Sequence, residues 1–334
     1  MGRYRKYLSA LLGVLPLLSC ERSALEMPAR RDLSFVAYTP EVKSTYIPST
    51  TLGTLPLYVS AAYRKDGAAM QFLSNRTFSR GGDDRYHASP GVYWPFDGTL
   101  DFLAYAGTDA ALSGSGNPSI AWETLPSEGA VITFTNTKTA GVDLVWATAN
   151  GQSPQDAPVA LAFSHALARL EIQVRATGLS GGKLRLKSVV LQTSPEDRLA
   201  LGGTFTIDNT RNVPTGTWSA LNTLSDYGFF TGQNITFGAD GLTSLVGLLN
   251  GTARKAKEEV LVPLANMYVP EQGNKNLVVT YSLDGAADTV ETVNLVRDIW
   301  RRGKTYTYQL VFDGSAGLEI VYNPPFGPGP EENW

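Results

Sequence analysis

Between positions 165 and 176 apolar and polar residues alternate with a period of two. Leu170, Ile172 and Val174 share one side, and Arg169, Glu171, Gln173 and Arg175 share the other. Only an extended chain separates them in this way, because successive strand side chains point to opposite faces. The segment therefore reads as a strand with one face on a core and one in water. The pattern recurs at 183–191 (Leu184, Leu186, Val190), at 277–283 (Leu277, Val279, Tyr281, Leu283) and at 305–313 (Tyr306, Tyr308, Leu310, Phe312). Further strand-like runs lie at 33–39, 55–62, 70–73, 100–106, 130–136 and 142–148, separated by Gly, Pro, Asn and Asp clusters that favour turns. Asp284-Gly285 reads as a hairpin turn. Residues 242–250 are the one helix candidate, with Leu242, Leu245, Val246 and Leu249 at helical spacing.

Many short strands in a chain of 334 residues point to an all-β protein of β-sandwiches, two in tandem. The expected boundary is 151–158, which holds Pro154 and Pro158 and no apolar period. It would divide a first sandwich at 33–150 from a second at 159–334.

The N-terminus is of another kind. Arg3, Arg5 and Lys6 precede an apolar run over 7–18 that is too short to span a hydrocarbon core, which needs about 20 residues. That is the layout of a secretory signal peptide, over 1–19. It ends in Leu17-Leu18-Ser19-Cys20, a lipobox-like sequence, which places signal cleavage between Ser19 and Cys20 and lipid on the Cys20 thiol. Two acyl chains, at about 0.8 kcal/mol per buried CH₂, give stable anchoring. Cys20 is also the sole cysteine, so no disulfide within the chain staples the fold. Residues 20–32 are polar and read as a lipidated tether.

The formal net charge is −3, and the signal peptide carries three of the basic residues and no acid, so the exported part is more acidic still. That disfavours nucleic acid as a partner, since phosphate binding needs clustered Lys and Arg. No catalytic constellation is visible. There are two histidines, His87 and His165, and no HExxH sequence. His165 reads as a structural or surface residue, and Asp83-Asp84 alone fall short of the six to eight oxygens calcium takes. No catalytic residue, metal ligand or cofactor is therefore expected. Tyr93-Trp94-Pro95-Phe96 reads as core packing at a strand end or as a sugar-stacking platform.

Four segments together resemble the fimbrillin family, the subunits of type V pili of Gram-negative bacteria. They are Val92-Tyr93-Trp94-Pro95-Phe96-Asp97-Gly98 with Leu100-Asp101-Phe102-Leu103-Ala104-Tyr105-Ala106, the run from Val159 to Leu170, the 260–270 region with 277–282, and Trp300-Arg301-Arg302-Gly303-Lys304-Thr305-Tyr306-Thr307-Tyr308. They stand in family order. Val262-Pro263-Leu264-Ala265 lacks the family's Gln after Pro, and 194–251 matches nothing, so stalk, anchor and tip subunits all stay open.

The resemblance implies two transthyretin-like Greek-key sandwiches, export to the outer membrane as a lipoprotein, and assembly at the cell surface by strand addition between subunits. It also implies proteolytic processing after an arginine near the N-terminus. Arg30 and Arg31 are the matching positions, just before a first strand with Leu33, Phe35 and Ala37 on one face. A cut there would free the lipid but leave that strand attached; Lys43 is the next basic residue. The donor candidate is the tail 318–334, whose strand would carry Leu318, Ile320 and Tyr322. The alternative is that these residues form the last strand of their own sandwich. Expected partners are other fimbrial subunits, the membrane through Cys20, and a host protein or glycan. The competing reading is a glycan-binding surface lipoprotein that uses Trp94, Trp122 or Trp218.

Overall fold

The computed structural model describes residues 30–39, 52, 55–107, 119–125, 129–136, 142–177, 184–192, 199–209, 213–225, 227–230, 235–238, 241–244, 254–256, 259–273, 275–283, 285–295, 299–313 and 317–323. Ser19, Cys20 and Lys43 lie outside them. Every named element among the described residues is a strand, and they form four sheets.

The first sheet holds eight strands: β1 (Phe35–Tyr38), β2 (Leu57–Lys65), β3 (Ala68–Arg80), β4 (Tyr86–Ala88), β5 (Thr99–Gly107), β8 (Leu144–Gln152), β9 (Val159–Ala162) and β10 (Ser164–His165). Their spatial order is β10-β8-β5-β2-β3-β4-β1-β9. The two outermost strands are consecutive in the chain, with only Phe163 between them. One residue spans about 3.5 Å, so the sheet must curl until its edges nearly meet. Inside the curl lies an apolar core that includes Leu33, Phe35, Leu57, Val59, Phe78, Phe102, Val159, Leu161 and Phe163. Asp66 and Gly67, both with positive φ, make the tight turn from β2 to β3.

Strands β6 (Ser119–Leu125), β7 (Gly129–Thr135), β13 (Leu199–Asp208) and β14 (Thr215–Ser225) make a four-stranded sheet in the order β14-β13-β7-β6. It covers the outer face of β5 and β8. Leu103, Tyr105, Leu144 and Trp146 pack there against Ile132, Phe134, Phe205 and Ile207. The double cover explains why 100–106 reads as a nearly continuous apolar run: Phe102 and Ala104 point into one core, Leu103 and Tyr105 into another.

The remaining strands enclose a third core. Strands β11 (Ala168–Thr177), β18 (Arg254–Ala256), β19 (Glu259–Val269), β22 (Thr305–Asp313) and β23 (Gly317–Asn323) form one layer. Strands β12 (Leu184–Gln192), β15 (Tyr227–Phe230), β16 (Ile235–Gly238), β17 (Gly241–Ser244), β20 (Asn276–Leu283) and β21 (Thr289–Asn294) form the other. Leu170, Ile172, Val174, Tyr308, Leu310 and Phe312 meet Leu184, Leu186, Leu277, Val279 and Tyr281 between them.

Three expectations are corrected. The face of β12 continues through Val189 and Leu191, not Val190, because the register shifts between Leu186 and Ser188. Leu242 lies in strand β17, where pairing with β16 overrides the helical spacing; 245–250 lie outside the described residues. The 151–158 boundary is crossed by pairing. Gly151 and Gln152 end β8, β9 joins the first sheet beside β1, and β13 pairs with β7. The chain passes to the last two sheets at Ala166-Leu167, both fully buried.

Candidate functional site: the first strand and its slot

Strand β1 is four residues long and lies between two partners. It is antiparallel to β4 through Phe35 and Tyr86, and parallel to β9 from Phe35–Val159 to Tyr38–Ala162. The segment before it is paired as well. The Trp94 amide donates to the Arg31 carbonyl at 3.0 Å, and the Leu33 amide to the Val92 carbonyl at 2.8 Å. On the other side the Val159 amide donates to Ser34 and the Phe163 amide to Tyr38, each at 2.8 Å.

Leu33 and Phe35 are fully buried, and Ala37 packs partly against the same core. The Phe35 ring meets Phe78 edge-on at 4.8 Å and Phe102 at 5.1 Å, and Trp94 closes on Phe102 at 5.9 Å. Burying a Leu or Phe side chain stabilises by about 1.5–3 kcal/mol. Together the two contribute about 3–6 kcal/mol, comparable with the lower end of a domain's net stability of about 5–15 kcal/mol. An empty slot would also expose unpaired backbone on β4 and β9.

Side chains fix the mouth of the slot. Arg31 donates from Nη1 to the Pro154 carbonyl at 3.0 Å, and its Nε lies 3.4 Å from the Asp156 carboxylate. The 151–158 segment, expected as a linker, thus braces the start of the first strand. His87 on β4 reaches Asp32 with Nδ1 at 3.0 Å and Asp83 with Nε2 at 3.1 Å. Burial alone would lower the His87 pKa, but the hydrogen bonds to Asp32 and Asp83 outweigh it and hold it above the ordinary value. Tyr86 donates to the Leu52 carbonyl, tying the connection after β1 to the core, and burial raises its pKa.

Both Arg30 and Arg31 are exposed, and Arg31 is held by main chain and side chain. At the other end of the chain, Leu318, Ile320 and Tyr322 pair with Phe312, Leu310 and Tyr308 of β22. Strand β23 thus completes its own sheet at an edge, and in this chain those residues are not a free tail. Residues 324–334 lie outside the described residues.

The tryptophans named as a sugar platform are placed otherwise. Trp94 is 7% exposed and sits in the core, which removes it from that role. Trp218 is half-buried, tilted against Phe205 at 5.1 Å, and donates from Nε1 to the Ala166 carbonyl at 2.5 Å. The Trp122 side chain lies outside the described residues. Tyr93 and Phe96, the neighbours of Trp94, are exposed instead. His165 pairs with buried Asp143 through Nδ1 at 2.5 Å. Among the described residues no His, Cys, Asp and Glu group of three is placed to hold a metal ion, and no helix is long and apolar enough to cross a membrane.

Sequence reasoning missed the contacts of Arg31 and His87. Asp32 and His87 are 55 residues apart, and only the pairing of β1 with β4 joins them.

Among curated proteins none matches the chain. Distant likenesses exist among solved structures. A Bacteroides ovatus protein assigned to cell adhesion is 17% identical, with a TM-score of 0.49 over 88% of this chain and 96% of its own. A Bacteroides uniformis protein of the same assignment is 15% identical, with a TM-score of 0.46 and the same coverage. The fimbrial anchor protein Mfa2 from Porphyromonas gingivalis is 10% identical, with a TM-score of 0.31 over 88% of this chain and 97% of its own. A family model described as fimbrillin-like matches residues 54–323, which takes in most of the chain, and the protein therefore belongs to the fimbrillin-like family.

Proposed function

We propose that this protein is a non-enzymatic structural or adhesive subunit of a cell-surface fimbria, exported to the outer membrane as a lipoprotein through Cys20 and joined to its neighbours by strand addition. Family membership supports the fimbrial setting. The observation that carries the assembly mode is β1: a four-residue strand that plugs a core with Phe35 and is paired on both sides. An extended segment from another subunit would satisfy the same backbone groups and apolar pocket, its side chains alternating into the core. Head-to-tail contacts of this kind do not close on themselves, so they build a filament.

The donor is the C-terminal region. Strand β23 is an edge strand that pairs only with β22 among the described residues, so it can leave one partner for another without breaking a sheet in two. Cleavage at Arg30 or Arg31 releases the lipid. Cleavage after Lys43, between β1 and β2, frees β1 to be displaced.

The test is to cut the purified exported protein after Lys43 and follow its size on denaturing gels without boiling. SDS-resistant ladders support strand exchange. A cut chain that stays monomeric and shifts instead on polysaccharide gels refutes it in favour of glycan binding, a reading that has already lost Trp94.

A further inference from the structure

At the mouth of the first-strand slot a histidine, His87, stands between two carboxylates, Asp32 and Asp83. We propose that His87 is a protonation-controlled latch, bridging Asp32 at the start of the N-terminal segment to Asp83 before β4, so that mild acid holds residues 31–38 in place and alkali loosens them. The proposal rests on the reading of β1 as the removable element.

The argument is one of hydrogen-bond capacity. His87 faces Asp32 Oδ2 with Nδ1 at 3.0 Å, and both Asp83 oxygens with Nε2 at 3.2 and 3.1 Å. A neutral imidazole has one N–H and one lone pair, so it can donate to only one of the two carboxylates. The other carboxylate would then face a lone pair. Only the imidazolium donates to both.

Among the described residues, three nearby arginines turn to partners other than Asp32. Arg85 turns to Asp83, with its amide 3.3 Å from Oδ1 and its Nε 3.9 Å from Oδ2. Arg80 pairs with Asp84 at 2.9 Å, and Arg31 turns away to Pro154 and Asp156. Tyr93, opposite Asp32 across the backbone bridge, carries no positive charge.

The sign follows from the raised His87 pKa. Burial opposes the charge, and the bonds to Asp32 and Asp83 more than restore it. The stabilisation is fully present below the ordinary histidine value of about 6.5 and is lost as pH rises through the higher folded value. Asp83 is also opposed by burial, yet the hydrogen bond from His87 holds its pKa below the ordinary value, which keeps that end of the bridge charged in mild acid. The His87 side chain is 35% exposed, and solvent screening keeps the effect small.

Cutting at Arg31 reads the latch, because a protease needs that side chain and the residues after it free of the sheet. The exported chain and its His87→Gln variant are digested with an arginine-specific protease at about pH 5.5 and about pH 9, either side of the histidine range. The ratio of their rates cancels the pH dependence of the protease. At acid pH the wild type should be cut about two- to fivefold more slowly than the variant, as expected for exposed ion pairs, and at alkaline pH the rates should agree. The same ratio at both values overturns the proposal. Hydrogen exchange at the Leu33 amide repeats the comparison without a protease. A pH-dependent ratio in a chain that never polymerises after the Lys43 cut would uphold the latch and remove only the strand-exchange reading.

Discussion

The rings of Phe35 and Phe78 meet edge-on, with centroids 4.8 Å apart and planes at 86°. Phe35 comes from a strand of four residues, Phe78 from one of thirteen. The short strand thus contributes a fully buried side chain to a core built by long ones. Truncating it should be costly. Phe35→Ala is expected to destabilise the fold by about 3–5 kcal/mol, the usual range for a buried Phe, read by urea denaturation. A loss below about 1 kcal/mol would mean that the slot collapses without its plug.

A second prediction concerns the stitching of the sheets. Asn136 is buried; its amide donates to the Leu201 carbonyl, its Nδ2 to the Val142 and Tyr268 carbonyls, and its Oδ1 accepts from the Val142 amide. These bonds tie β7 to the later strands. Asn136→Ala leaves buried backbone groups unmatched and should cost about 1–3 kcal/mol or more. The wild type should unfold in one cooperative transition by fluorescence and circular dichroism alike. Two separated transitions in the wild type would contradict that coupling.

Gly129 gives a third. Its φ is +136°, and an added Cβ would stand 1.8 Å from the Ile207 carbonyl oxygen. Both strain and collision oppose a side chain there, where β7 starts against β13. Gly129→Ala should destabilise by more than about 1 kcal/mol in thermal unfolding. A neutral result would show that the β7–β13 approach is looser than described.

A fourth concerns the anchor. Cys20→Ala should abolish palmitate labelling and move the protein out of the outer-membrane fraction. Continued labelling would sink the lipoprotein reading.

The strands were legible wherever one face meets water, as in β11, where Leu170, Ile172 and Val174 alternate with polar residues. Legibility failed for definite reasons. The bulge after Leu186 shifts the apolar face by one residue, and spacing alone does not announce it. Residues 151–158 look like a linker because they are polar and proline-rich, yet Pro154 and Asp156 hold Arg31. The latch of Asp32, His87 and Asp83 depends on which strands become neighbours, and a local pattern carries no information on that.

The central claim is that β1 must leave its slot for subunits to join. Val36 and Ala160 are paired neighbours on β1 and β9. Neither belongs to the core face occupied by Phe35 and Leu161. A Val36→Cys, Ala160→Cys double variant, made with Cys20→Ala, would lock the strand by a disulfide that reductant reverses. After cleavage following Lys43, the oxidised protein should stay monomeric and the reduced protein should form SDS-resistant ladders. Equal polymerisation of both forms would contradict the account.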